Sequence, residues 1–215
     1  MLLGEMSDAP PRIERVVLVE EQSAETALRR ILPPMLAGRA THQFMTFRGK
    51  RDLLGKLDSR LRGLASWISN DVGRDIRVLV LVDRDDDDCR RLKAQLESTA
   101  LAAGLATSAT ATAGSPVLVV NRIVVEELEA WYFGDVDALC EAYPGVPPTL
   151  ASRSAFRDPD AIRGGTWEAL ERVLRRAGHH RGGLQKVRVG RPTTLPRAWT
   201  PRATDRGASQ LSVQV

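Results

Sequence analysis

Apolar and polar positions along this chain change period several times, and each change marks the border of an element. Residues 13–19 end in Val16-Val17-Leu18-Val19, a continuous apolar run of the kind found in strands buried on both faces. Residues 23–36 then place Leu28, Ile31, Leu32 and Met35 at helical spacing. Ser23 is the expected N-cap, Glu25 lies in the first turn, and Pro33-Pro34 should stop or kink the helix. A short strand is expected over 42–47. A second helix should follow it, with Leu53, Leu54, Leu57, Leu61, Leu64 and Ile68 forming one stripe. The strongest strand signal is 76–82, IRVLVLV, followed by a helix expected over 86–104 and ended by Gly104. Small polar residues over 107–115 read as a loop or weak strand, and 116–120 and 123–125 read as extended. Helical spacing returns over 126–137 around Leu128, Trp131 and Phe133, stops at the Pro/Gly-rich 143–148, and recurs over 167–177. Strands alternating with helices predict an α/β fold, a largely parallel sheet flanked by helices.

Beyond about residue 187 the periods vanish. Pro192, Pro196 and Pro201 interrupt an Arg/Thr/Ser-rich segment, so 188–215 is expected to be a disordered or aberrant tail, such as an out-of-frame ending. Residues 1–12 read as a flexible leader, leaving 13–187 as the folded domain. Composition sharpens this picture at three points. The longest apolar stretch, near 78–82, is too short to cross a bilayer, and no basic region leads into an apolar run at the N-terminus. Two cysteines, Cys89 and Cys140, with no pair motif around either, point to buried free thiols in a reducing cytoplasm. The net charge of +4 does not describe the folded body. From residue 188 onward there are five arginines and one aspartate, 5 − 1 = +4, which leaves residues 1–187 at zero. The basic balance therefore carries no argument for nucleic-acid binding by the body.

Chemistry is concentrated in the acids. In parallel α/β sheets, sites form outside the carboxyl ends of strands. Two such ends carry carboxylates here: Glu20-Glu21 after the first strand and Asp83-Arg84-Asp85-Asp86-Asp87-Asp88 after the strongest one. A strand end followed by a tight turn lets Asp83 and Asp85 face the same side, whereas Asp86, Asp87 and Asp88 are expected to cap the next helix. Clustered carboxylates repel one another unless a cation sits among them, and oxygen-only donors suit Mg2+ or Mn2+. Arg48-Gly49-Lys50-Arg51 places three cations before a helix, a reading split between phosphate contact and a solvated turn. No G-x-x-x-x-G-K-[S/T] occurs, which excludes a P-loop NTPase, and no Ser/His/Asp or Cys/His spacing suggests a nucleophile. Trp131 is expected in the core, and His179-His180 as a surface pair.

These stretches also carry a resemblance. V-E-x-x-S-x-E at 19–25, F-x-G-K-x-x-L-L at 47–54, V-L-V-D-R-D-x-D-D-C at 80–89 and E-x-E-A-W at 127–131 together resemble the DUF4276 family. That family is similar to the Toprim nuclease domains of the OLD group, which implies a Toprim or Rossmann-like sheet over residues 13–187. By position, the resemblance implies that Glu20 is the Toprim glutamate and that Asp83 and Asp85 are its D-x-D pair. Glu25 matches an acid on the following helix, Glu127 and Glu129 match the pair that completes a second metal position, and Lys186 matches a lysine that stabilises phosphate charge. Glu21 stands where the family usually has glycine, adding bulk and charge, and the ending after Lys186 departs from the family's amphipathic continuation.

The leading expectation is a metal-dependent nuclease or nuclease-like subunit with Mg2+ or Mn2+ as cofactor. The resemblance adds DNA as substrate, a separately encoded ABC/AAA-type ATPase as partner, and a role in defence against phage. A non-catalytic, metal-binding regulatory module of the same fold is the alternative. A phosphotransfer domain ranks last, because such folds want their principal aspartate where this chain has Glu20. No membrane partner is expected, and the oligomeric state, homo-oligomer included, stays open.

Overall fold

The computed structural model describes residues 12–71, 73–125 and 128–182. Four strands, β1 (Arg12–Val19), β2 (Thr41–Thr46), β3 (Arg74–Asp83) and β4 (Val119–Val124), form a parallel sheet in the order β2-β1-β3-β4. The expected α/β architecture is therefore the observed one. Between the strands lie α1 (Gln22–Met35), α2 (Lys50–Asn70) and α3 (Cys89–Ala102). The chain moves from β1 to β2 in one direction, then passes back over β1 to β3 and on to β4. Right-handed crossovers taken in opposite directions put their helices on opposite faces. Leu28 and Ala24 of α1 accordingly pack with Val17, Val19, Leu81 and Val124, whereas the α2 and α3 leucines pack with Val16, Leu18, Val78, Val80 and Val82. Both faces of β1 and β3 are covered, which is why these strands read as apolar runs without alternation.

After β4 the chain builds a smaller helical cluster from α4 (Leu128–Gly134), α5 (Val136–Ala142) and α6 (Thr166–Arg176), with two short 3-10 turns. Tyr132, Phe133, Leu139, Leu150, Leu170 and Leu174 form its own core. Trp131 projects from α4 against the sheet layer that holds α1.

Several expected borders move. Helix α1 begins at Gln22 with Glu21 in the N-cap position, so Ser23 lies inside the first turn, buried, its Oγ donating to Glu21 Oε2 at 3.2 Å. Helix α3 starts three residues later than expected, because residues 84–87 are used in a turn and Asp88 alone caps it, accepting from Arg91 N–H at 2.7 Å. The extended segments around 116–125 form one strand, β4, with Asn121 fully buried inside it. The helix expected over 126–137 is broken at Asp135, whose carboxylate caps α5 by accepting from Ala138 N–H. His179 and His180 are both partly exposed, and they make ring contacts. Both rings meet Tyr143 edge-on, and His179 Nε2 lies 2.8 Å from the Pro144 carbonyl oxygen. Cys89 and Cys140 are free thiols as expected, though half-buried in different clusters. Residues 1–11 of the expected leader and the tail after residue 187 lie outside the described residues, while Arg12, expected in the leader, begins β1.

Candidate carboxylate site at the switch point

The strand order reverses between β1 and β3, so the loops leaving these two strands diverge to opposite faces and open a crevice at their carboxyl ends. A cavity of about 220 Å³ sits there. Among the described residues, the carboxylates Glu20, Glu21, Asp83, Asp85 and Glu129 line it together with the cation Lys50 and the apolar Leu81, Val124, Ala24 and Trp131.

Glu20 ties the two strand ends together. Its carbonyl accepts from Gly49 N–H at 2.9 Å, fastening the loop before α2, and its Oε1 accepts from Asp83 N–H at 2.9 Å. Gly49 makes this possible with φ +100°, a conformation that side chains resist; a Cβ there would meet nothing, so the requirement is conformational. Only 7% of Glu20 and 3% of Glu129 remains exposed, which takes two carboxylates largely out of bulk solvent. Burial and the neighbouring charges of Asp83 and Asp85 push the Glu20 carboxyl up to about 7, against the opposing hydrogen bond from Asp83 N–H and the nearby Lys50.

Asp83 ends β3 on the same side as Leu79 and Leu81, facing the cavity floor. Asp85 reaches the cavity rim from a left-handed backbone position, φ +48°, which aspartate tolerates better than most residues. Its carboxylate is 2.7 Å from Lys50 Nζ. That lysine also donates to Asp87 Oδ2 and to the Arg84 carbonyl, each at 2.9 Å. The basic turn containing Lys50 reads from the sequence as either a phosphate contact or a solvated turn; the fold turns Lys50 onto the acidic loop. The signal was present, since a loop leaving β2 in a parallel sheet opens at the same end as those leaving β1 and β3.

The remaining expected site residues are dispersed. Glu25 does not line the cavity. It pairs with Arg29 at 2.7 Å, accepts from Thr46 Oγ1, and so joins α1 to the end of β2; Arg29 stacks over Phe44. Although burial pushes the Glu25 carboxyl upward, the hydrogen bonds from Thr46 and Arg29 hold it below the ordinary range. Glu21 is exposed, and its φ of −136° is extended backbone that needs no glycine. Glu127 and Lys186 lie outside the described residues. Trp131, expected in the core, packs there and lines the cavity as well.

The donor chemistry of the cavity is all oxygen and suits a hard divalent cation. Among the described residues, however, no three Asp, Glu, His or Cys side chains stand close enough together to hold an ion as they are placed. Asp85 is drawn to Lys50 rather than toward Glu20 and Asp83.

A parallel α/β domain with a carboxylate-lined crevice at its switch point is thus the class that fold and site define. Its relatives place it further. A family model, a domain of unknown function named DUF4276, matches residues 19–195, and the chain belongs to that family. The match runs past residue 187, where the periodic pattern fades. No curated protein and no solved structure matches the chain. Among the described residues, no helix is long and apolar enough to cross a membrane.

Proposed function

We propose that this protein is a Toprim-type, divalent-cation-dependent phosphodiesterase, a nuclease or nuclease-like subunit. The observation that carries the reading is that Glu20, Asp83 and Glu129 line one cavity at the switch point, with the Glu20 carboxyl raised by burial and by the charge of Asp83. Like-charged carboxylates held together out of solvent are an arrangement that a cation relieves. Asp83 and Asp85 would hold Mg2+ or Mn2+, with Glu20 as a further ligand or as base, and Glu129, with Glu127, would serve a second position. Bound there, the cation supplies Lewis acidity and charge neutralisation for phosphodiester hydrolysis.

The chain's own residues supply the rest. Glu20, buried in the cavity wall with its Oε1 on Asp83 N–H, is the carboxylate placed to accept a proton from an attacking water. Leu81, Val124 and Trp131 form an apolar floor that limits water around the carboxylates. The resemblance described above extends the proposal to DNA as substrate, a separately encoded ABC/AAA-type ATPase as partner, and a role in defence against phage.

A plasmid-nicking assay with Mg2+ or Mn2+ tests the site. Asp83→Ala should lower cleavage about 100-fold or more, because charge stabilisation worth several kcal/mol is lost. Cleavage that survives this change refutes the assignment. The ion pair between Asp85 and Lys50 favours a second reading, a regulatory module that binds a cation without cutting. Manganese binding by calorimetry without nicking, with and without the ATPase, would select it.

A further inference from the structure

Lys50 is the first residue of α2, yet its side chain reaches the turn that follows β3, thirty-four residues away in sequence. An ammonium group has three protons to donate. Here each has an acceptor: the Arg84 carbonyl at 2.9 Å, Asp85 Oδ2 at 2.7 Å and Asp87 Oδ2 at 2.9 Å. The lysine side chain is only 15% exposed, whereas Asp85 and Asp87 are 64% and 53% exposed. The cation is therefore the buried member, and the acidic turn folds onto it. The turn is further fixed by Arg84 N–H to the Val124 carbonyl at 2.7 Å and Asp87 N–H to the Arg84 carbonyl at 3.0 Å. With its backbone at φ +48°, Asp85 stands in a conformation that this set of contacts maintains.

We propose that Lys50 is a tethered cation that holds the Arg84 to Asp87 turn in place and competes with an entering divalent cation for Asp85. It is a positioning residue, and the inference rests on the cation site proposed above. A divalent cation at Glu20 and Asp83 that recruits the Asp85 oxygen held by Lys50 breaks that ion pair, so filling the site takes away one of the ammonium's three acceptors. The ammonium, still held by Asp87 and the Arg84 carbonyl, then has one proton to offer at the cavity that Lys50 lines, where an anionic ligand such as a phosphate group would accept it. Cation binding thereby prepares the site for its substrate class.

The test uses the full chain and Mn2+. Amine labelling with acetic anhydride, read by mass spectrometry on the peptide containing Lys50, should be low in EDTA and rise severalfold with saturating Mn2+. Calorimetry on Lys50→Met should show Mn2+ binding tighter by on the order of two- to fivefold, the scale of one partly exposed ion pair. Lys50→Arg, which keeps the charge and two or more of the contacts, should stay near wild type. Manganese binding to the wild type with unchanged Lys50 labelling overturns the inference while leaving the cation site standing. Equal or weaker affinity in Lys50→Met overturns it too. Binding by Lys50→Met alone supports it, and binding by neither protein removes the cation site and this inference together.

Discussion

Glu20 uses its backbone and its side chain for different partners. The carbonyl anchors Gly49 and with it the start of α2, while the carboxylate accepts from the end of β3. Its proton affinity makes stability depend on pH with a definite sign. The carboxyl titrates near 7 in the folded protein against an ordinary value of 4.5, so the folded state holds more protons between those limits. Unfolding free energy therefore falls as pH rises from about 4.5 to about 7, and this contribution is flat outside that window. Glu20→Gln keeps an oxygen for Asp83 N–H and removes the charge. In EDTA at pH 8 it should be more stable than wild type, and its urea-denaturation stability should lose the downward slope between pH 4.5 and 7; an unchanged slope would contradict the assignment. At this scale the sequence named the acids but not their allegiances. Glu25 and Glu20 are both acids at the first βα junction, yet one faces Arg29 and Thr46 and the other the cavity, because α1 turns the first toward β2.

Elements were legible where burial imposes a period. Leu53, Leu57, Leu61 and Leu64 of α2 are all buried, as their spacing required, and β1 and β3 fall within a few residues of their apolar runs. Borders were less legible, because several residues near each end have the chemistry of a cap. Four consecutive aspartates, residues 85–88, precede α3, and any of the last three satisfies the sequence rule. The structure assigns the cap to Asp88, while Asp87 binds Lys50 and Asp86 is exposed. Asp88→Ala should cost about 1 kcal/mol in chemical denaturation. Asp86→Ala should stay within about 0.5 kcal/mol of wild type, as expected for a surface change. Comparable losses in both would mean that the cap is shared.

Across the whole molecule, the cavity is bounded by the sheet layers and by the helical cluster that follows β4, with Trp131 of α4 packed on the sheet side. The sheet layers supply Glu20, Asp83 and Lys50, and the cluster of α4, α5 and α6 supplies Glu129 and Trp131. Leu170 of α6 is fully buried in that cluster and makes no part of the cavity wall. Leu170→Ala should destabilise by about 2–5 kcal/mol. Hydrogen exchange should quicken first in α4 and α6 while β1 and β3 stay protected. If the sheet loses protection to the same extent, the two units unfold as one and the wall carrying Glu129 has no independent stability.

Read alone, the sequence was enough to determine the α/β class, the order of the elements and the two acidic strand ends. Burial of whole strands and stripes leaves periodic marks, and an acid directly after an apolar run is visible without coordinates. Only the tertiary structure decided the partners. Whether Asp85 faces Glu20 or Lys50, whether Glu25 enters the cavity, and that Trp131 both packs and lines it depend on contacts between residues far apart in the chain. Those contacts follow from the crossover that carries β3 past β1, and no local pattern records them.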